Sequence, residues 1–211
     1  MIMSRGSISH SLIKTVLDVA EQKGASRLKL LSFIGLEEET LTDASSRVSL
    51  LKTIGLFERI IEETDDQLFG LHVGESVKPG SLNALGYALM SSQNVYEAYQ
   101  LQKSFGGVIA DCGKLSLRRE GAVCYLAFTV MNDNMELVGP LNEMFMSMFW
   151  KYCHWITRGG GELMGVNFTH APRGNVRQYV RIFGVEHSFS GLSCSLVFDS
   201  KYLSAPLIQT D

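Results

Sequence analysis

The chain has 211 residues, of which 45% are apolar and 19% are charged. This balance is typical of a folded globular protein and excludes an intrinsically disordered one. The formal net charge is −3, which leaves no surplus of Lys and Arg for the phosphate contacts on which nucleic-acid binding depends. The length predicts a single domain over residues 1–211, with a core large enough to fold without a metal or a disulfide.

The cysteines and the N-terminus indicate a reducing, aqueous compartment. No CxxC pair or zinc-finger spacing occurs among the four cysteines, Cys112, Cys124, Cys153 and Cys194, so we predict free thiols and no structural metal. The first ten residues lack the apolar core of a secretion signal, and nowhere do 18 apolar residues follow one another. We therefore expect a cytoplasmic protein with no membrane contact.

The first 110 residues are predicted to be mainly helical. An apolar face at helical spacing covers residues 12–20, with Ser9 or Ser11 as its cap and Gly24 at its end. The short apolar segment 68–73 is predicted as a turn. The further predicted helices of this half are Arg27–Ile34, 46–63, 82–90 and Val95–Phe105.

Beyond residue 107 the apolar period changes from helical to alternating. Leu115 and Leu117, and then the even residues from Cys124 to Val130, alternate with other residues on either side of Glu120-Gly121, which predicts a β-hairpin. The remaining predicted elements are a long helix over 136–158, a strand over 163–168, a short helix over 175–183 and a strand over 192–198. This order predicts an α+β fold, in which a helical N-terminal half precedes a mainly antiparallel sheet covered by one long helix.

The sequence carries no recognisable catalytic constellation. A nucleophile elbow, a P-loop, an HExxH zinc motif and a dinucleotide-binding glycine pattern are all missing from it. The glycine triplet 159–161 follows a helix rather than a strand, so we interpret it as a helix end. The five histidines are scattered, and adjacent Cys153 and His154 point to different sides of their helix. We therefore predict neither an enzyme nor a cofactor or metal site.

The long helix predicted over 136–158 is the best candidate wall of a ligand pocket. It is apolar on more than one face, and five methionines, whose flexible side chains adapt to varied apolar ligands, lie within residues 131–148. We predict an effector pocket between this helix and the strand 123–130, with three aromatic wall residues and a tyrosine and a histidine that orient the ligand. These site residues are Tyr125, Phe145, Phe149, His154 and Trp155. The alternative left open is that all five fill the core or a dimer interface.

Five segments of the chain follow a recognisable order. Residues 65–75 read DDQLFGLHVGE and contain the pattern D-x-x-F-G-L-x-x-G, residues 80–92 read GSLNALGYALMSS, and residues 94–98 read NVYEA. Residues 166–185 contain VNFTHAP, a tyrosine and FGV, and residues 196–207 begin LVFD and end YLSAPL. Together these segments resemble the N-terminal effector domain of AraC-type transcription regulators, in the subfamily called arabinose-binding-like.

The resemblance covers nearly the whole chain and implies a regulatory domain that binds a small effector and forms a homodimer. Such regulators read DNA through two C-terminal helix-turn-helix units, and no such unit precedes the end of the chain at Asp211. We therefore expect DNA binding to belong to a longer parent protein. Two functions remain open. One is an effector sensor, whose effector the sequence does not identify, and the other is a protein-interaction or dimerisation module with no small ligand.

Overall fold

A computed structural model of the chain describes residues 6–43, 45–132 and 134–207. Its α-helices are α1 (His10–Gln22), α2 (Arg27–Ile34), α3 (Leu50–Thr64), α4 (Phe69–Ser76), α5 (Asn83–Met90), α6 (Val95–Phe105), α7 (Gly139–Ile156) and α8 (Arg177–Phe183). Its strands are β1 (Ser7–Ser9), β2 (Arg47–Ser49), β3 (Gly113–Glu120), β4 (Val123–Val130), β5 (Leu163–Asn167), β6 (His187–Ser188) and β7 (Ser195–Asp199). Helices fill the N-terminal half and a sheet follows, so the predicted α+β class is confirmed.

The first two helices keep their predicted places because their ends carry strong local signals. The Ser9 side chain caps α1 by accepting a hydrogen bond from the Leu12 amide at 3.4 Å. α2 ends at Gly35, which has a left-handed φ of 69° that glycine adopts without steric cost. The face of α1 that the sequence predicts as apolar is buried.

Helix α3 begins at Leu50, later than the predicted helix over 46–63. The residues before it form β2, which pairs antiparallel with β1 so that Ser7 lies opposite Ser49. The Arg47 guanidinium reinforces this ladder by donating to the Ser7 hydroxyl at 2.6 Å. The two strands lie 40 residues apart in sequence, so no local pattern could indicate the pairing.

The apolar segment predicted as a turn over 68–73 is instead largely helix α4, which packs closely against α7. A Cβ atom at Gly70 would lie 2.0 Å from the carbonyl oxygen of Pro140, and one at Gly74 would lie 2.5 Å from that of Met144. These two glycines, one helical turn apart, let the backbones of α4 and α7 touch. A short helix with two glycines has low intrinsic propensity, so tertiary packing stabilises a helix that the sequence pattern did not predict.

Five strands form one sheet in the order β3-β4-β7-β5-β6. β3 and β4 form the predicted hairpin, with Gly121 at a φ of 60° in its turn. β7 pairs antiparallel with both β4 and β5, whereas β5 and β6 are parallel. β7 begins at Ser195 rather than at the predicted residue 192, because Leu192 lies exposed outside the ladder.

Helix α7 covers one face of this sheet, and nearly all of its side chains are buried. The Phe128 ring on β4 lies 4.3 Å from the Phe145 ring on α7, measured between centroids. The β4 side chains buried on this face are Cys124, Leu126, Phe128 and Val130. Their odd-numbered neighbours alternate to the opposite face, as the pleat of a strand requires.

Candidate functional site

A narrow apolar cavity lies between α7, the hairpin β3–β4 and the helices α5 and α6. Its volume is about 60 Å³. The wall from the helical half of the chain comprises Leu82, Leu89, Val95, Ala98, Tyr99 and Gln102. The opposite wall comprises Leu115, Leu117, Leu126, Met148, Phe149, Tyr152, Cys153, Ile156, Phe198 and Leu203. We call this space the inner cavity.

Regular secondary structure explains why these side chains converge. On α7, Phe149, Cys153 and Ile156 follow one another at intervals of four and three residues, so they lie on one helical face. On β3, Leu115 and Leu117 are two residues apart and therefore share a face of the strand. The Tyr152 hydroxyl already has a partner, because it donates a hydrogen bond to the carbonyl of Gly86 on α5.

A second and wider space, which we call the outer cleft, adjoins the inner cavity. Its volume is about 370 Å³, and residues of the segment 102–115 line it together with Phe128 and Phe145. Four residues line both spaces: Gln102, Leu115, Met148 and Phe149. The inner cavity therefore lies directly behind the outer cleft.

The charges around the outer cleft are unequally compensated. The Asp111 carboxylate accepts hydrogen bonds from the amide and hydroxyl of Ser7 at 2.5 and 3.0 Å and lies 3.3 Å from the Arg47 guanidinium. Burial opposes its ionisation, but these partners outweigh burial and lower the pKa of Asp111. Lys103 and Lys114 also line the cleft, and within the described part of the chain neither forms an ion pair.

Two of the five predicted site residues line these spaces. Phe149 borders both the inner cavity and the outer cleft, and Phe145 borders the outer cleft. Their ring centroids are 6.2 Å apart, and Phe149 lies edge-on to Phe128 at 5.7 Å. The structure therefore brings these two aromatic residues together between α7 and the sheet.

The other three predicted site residues line neither space. Tyr125 is an odd-numbered residue of β4 and lies on the face away from α7, where Arg118 stacks over its ring at 4.7 Å. His154 is exposed and packs against Trp150, with ring centroids 5.1 Å apart. Trp155 is 49% exposed. On a helix with 3.6 residues per turn, the last two side chains point away from the face that carries Phe149.

The sequence pattern did not indicate the cavity walls that α5, α6 and the segment after β7 contribute. Leu89, Ala98 and Leu203 belong to these elements. The apolar faces of the two helices were visible as a helical period. Nothing in that period indicates which partner a face will cover, because the partners belong to other elements, as Tyr152 on α7 does, 66 residues from Gly86 on α5.

A buried polar cluster lies at the other end of α7. The Tyr179 hydroxyl on α8 donates to Glu143 Oε1. His170 Nδ1 donates to the Ala171 carbonyl at 2.8 Å, which leaves its Nε2 unprotonated and 3.8 Å from Glu143 Oε1. Within the described chain, Glu143 Oε2 and His170 Nε2 have no hydrogen-bond partner.

The charge state of this cluster follows from its burial. Burial raises the pKa of Glu143 to about 8, against the opposing effect of the Tyr179 hydroxyl, and burial lowers the pKa of His170. At neutral pH the contact therefore joins a neutral carboxylic acid to a neutral imidazole and is not an ion pair. The cluster holds α8 and the segment after β5 against α7.

The four cysteines are free thiols. Burial raises the pKa of Cys112 and of Cys153 to about 12, so neither is a reactive thiolate at neutral pH. In residues 6–43, 45–132 and 134–207, no three His, Cys, Asp or Glu side chains come together as a metal site. Of the helices described, none is long and apolar enough to span a membrane.

Comparison with known proteins identifies the family. The family model described as "Arabinose-binding domain of AraC transcription regulator, N-term" matches residues 24–207. The ornithine utilization regulator of Pseudomonas aeruginosa is 24% identical to this chain over 195 residues, which are 92% of this chain and 57% of that protein.

A solved structure shows the same fold. The crystal structure of the transcriptional regulator CdpR from Pseudomonas aeruginosa aligns with a TM-score of 0.63 and 19% identity, over 87% of this chain and 56% of that chain. The chain thus spans little more than half the length of either relative, and the names of both relatives describe regulators. This chain belongs to the family of arabinose-binding domains that form the N-terminal part of AraC transcription regulators, and it is a regulatory domain of that family.

Proposed function

We propose that this domain senses a small effector in the inner cavity, in the cytoplasm, and thereby controls DNA binding by the rest of a longer regulator. The family match and the greater length of both relatives support this role. The proposed role is sensing rather than catalysis, because among the described residues that line the inner cavity and the outer cleft no nucleophile is hydrogen-bonded to a base. DNA would be contacted by segments outside this domain.

The observation that carries the proposal is the apolar inner cavity itself. Protein interiors are close-packed, with few voids larger than a water molecule, and ligand sites are concave and mainly apolar. A sugar needs several hydrogen-bond partners. Two polar groups of the inner cavity, the Gln102 amide and the Tyr152 hydroxyl that already donates to Gly86, offer it few. We therefore propose an effector with an apolar part, rather than the sugar in the family's name.

The C-terminal segment of the domain links the inner cavity to the part of a regulator that would follow this domain. Leu203 lines the inner cavity. The Val95 amide at the start of α6 donates to the Ala205 carbonyl at 3.3 Å, and the Leu207 amide donates to the Gln93 carbonyl at the same distance. In this family the domain is N-terminal, so the rest of a regulator would continue from this segment. An effector that favours one position of α6 would shift the segment with it.

A ligand screen tests the sensing function. Small apolar compounds that raise the melting temperature of the wild-type chain should fail to do so in Ala98→Leu, because the larger side chain fills the inner cavity. The matched control is Ala88→Leu, which makes the same change on the exposed side of α5. Compounds that stabilise Ala98→Leu as well as the wild type would place their site elsewhere and contradict the proposal.

Dimerisation is a second candidate function, favoured by exposed aromatic side chains on α5 and α7. Tyr87 and Trp155 are 61% and 49% exposed, and the Tyr152 hydroxyl joins the two helices beside them at Gly86. We propose this surface as a homodimer interface. Sedimentation equilibrium should find a dimer for the wild type and a weaker one for Trp155→Ser. A monomeric wild type, or an unchanged dimer in the variant, would contradict it.

A further inference from the structure

We propose that the inner cavity and the outer cleft are two parts of one effector site, which takes an elongated molecule with an aliphatic chain too long for the inner cavity alone. Met148 is the residue that opens the way between the two parts, and it thereby decides how long a chain can bind. This inference rests on the proposed sensing function, because it assumes that the inner cavity holds the effector. It goes further by naming a ligand class and a residue that determines specificity.

The inner cavity by itself is small for an effector site. A buried space needs about 10–15 Å³ for each water-sized group, so the inner cavity of about 60 Å³ holds a chain of roughly five carbon atoms. Ligand pockets commonly measure about 300–1,000 Å³. Together with the outer cleft of about 370 Å³, the site reaches that range, whereas the inner cavity alone falls well below it.

The four residues that border both spaces form the partition between them: Gln102, Leu115, Met148 and Phe149. Two of them are held in place. The Phe149 ring packs edge-on against Phe128 with centroids 5.7 Å apart, and Leu115 lies opposite Phe128 in the β3–β4 ladder. Gln102 is half-buried, whereas Met148 is buried, and the unbranched side chain of Met148 adapts to irregular gaps. A change in the Met148 rotamer therefore joins the two spaces without moving a helix or a strand.

The outer cleft continues the apolar surface of the inner cavity. Ile109, Phe128 and Phe145 border the cleft and are themselves buried, whereas Ser104 and Asp111 border it and are exposed. A chain that passes the partition would therefore lie against buried apolar side chains and keep its far end at an exposed polar rim. This arrangement favours an aliphatic ligand with one polar end, since apolar groups gain free energy when they leave water and polar groups do not.

Pentan-1-ol and octan-1-ol test the length of the site, because they share a hydroxyl end and differ only in the length of the chain. Titration of each alcohol into the ¹⁵N-labelled wild-type chain, followed by amide chemical shifts, gives the Kd and the residues affected. The additional CH₂ groups of octan-1-ol should make it bind about fiftyfold tighter than pentan-1-ol. Pentan-1-ol should shift the amides of Ala98 and Tyr99 at the inner cavity, and octan-1-ol should also shift those of Ile109 and Ala110 at the outer cleft.

Met148→Leu tests the residue that determines specificity. Leucine has a similar volume, so the core tolerates the exchange, but its branched side chain has fewer torsions and adapts less to a passing chain. The ratio of the two Kd values should therefore fall to about fivefold or less. Met146→Leu is the matched control, because it makes the same exchange on α7 at a buried methionine that borders neither space. Its ratio should stay near that of the wild type.

The remaining outcomes separate this inference from the function on which it rests. A ratio below about tenfold in the wild type, with pentan-1-ol binding that Ala98→Leu abolishes, would overturn the single elongated site and leave the sensing function standing. Octan-1-ol binding that persists in Ala98→Leu would also overturn it, because the chain would then lie in the outer cleft alone. Equal ratios for Met148→Leu and Met146→Leu would refute the role of Met148. If neither alcohol shifts the resonances of the inner cavity up to its solubility limit, both this inference and the inner cavity as effector site are refuted.

Discussion

The Tyr179 hydroxyl donates a hydrogen bond to the Glu143 carboxyl in the interior between α8 and α7, 36 residues away in sequence. Glu143 is fully buried, and no Lys or Arg lies within ion-pair distance of its carboxyl in the described chain. A buried carboxyl without a cation avoids the cost of desolvating its charge by staying protonated. The pair therefore makes the stability of the domain depend on pH.

We expect the domain to lose stability as the pH rises from about 7 to about 8. The pKa of Glu143 is about 8 in the folded protein and close to its usual value of about 4.3 in the unfolded chain. Between these values the folded state holds the extra proton, so the stabilisation is lost as the pH rises through the folded pKa. The free energy of unfolding should fall by at most about 1.4 kcal/mol per pH unit. Urea unfolding at pH values of about 7 and about 8 measures this change.

Glu143→Gln is the control for this pH dependence, because the amide is neutral at every pH. The titration of His170 does not affect this comparison of the wild type with Glu143→Gln. Its pKa is lowered by burial, so it costs stability only as the pH falls below about 6.5, where the unfolded histidine gains its proton. Equal slopes for Glu143→Gln and the wild type between the two pH values would show that Glu143 is not the group responsible.

The glycine contact between α4 and α7 gives a second prediction. In Gly70→Ala the new methyl group would meet the Pro140 carbonyl oxygen, and we expect a loss of about 3 kcal/mol from the free energy of unfolding. Gly107→Ala is a suitable control because its Cβ would have no neighbour closer than 4.0 Å. Chemical denaturation of both variants checks the difference. A Gly70→Ala variant as stable as the control would mean that the two helices are not packed backbone to backbone.

Phe149 separates the inner cavity from the outer cleft, so its truncation should affect ligand binding more than stability. We expect Phe149→Ala to cost about 2–3 kcal/mol, below the 3–5 kcal/mol usual for a tightly packed Phe, because part of its ring already faces open space. Phe168→Ala, a fully buried ring in an aromatic cluster, should cost the full amount. Denaturation and binding assays measure the two effects, and equal costs, or an unchanged ligand response, would argue against the assignment.

We expect that the cysteine thiols stabilise the domain neither by disulfide bonds nor by metal coordination. All four are free, and the pKa of Cys112, raised by burial to about 12, keeps that residue a protonated thiol. We expect the melting temperature to stay the same when a reductant or a chelator is added. Maleimide should label Cys112 only after unfolding in urea. A clear drop in melting temperature with either reagent is the result that would refute this.

This chain by itself should not bind DNA at specific sequences. Its net charge of −3 provides little of the phosphate neutralisation from which DNA-binding proteins draw affinity. Footprinting on promoter fragments at near-physiological salt should therefore show no protected sequence with this chain alone. A specific footprint would locate a DNA-binding surface within these residues.

The strand face and the helix face on which the predicted site residues lie follow from the sequence pattern. The alternation that marks Cys124, Leu126 and Phe128 as buried places Tyr125 on the other face of β4, where the structure has it. Helical spacing likewise groups Cys153 and Ile156 with Phe149, and excludes His154 and Trp155 from that face. In these cases the signal is local, because it depends only on the period of one strand or one helix.

The sequence by itself determined the helices that begin at good caps, the hairpin around Gly121, the long helix and the α+β class. These features depend on residues within one turn or one strand of each other, so their signals lie side by side in the chain. Only the tertiary structure decided the β1–β2 ladder, the helix at Gly70 and Gly74, the walls from α5 and α6, and the meeting of Glu143 with Tyr179. Each of these depends on which surfaces become neighbours when apolar area is buried, and the chain order of the residues does not contain that information.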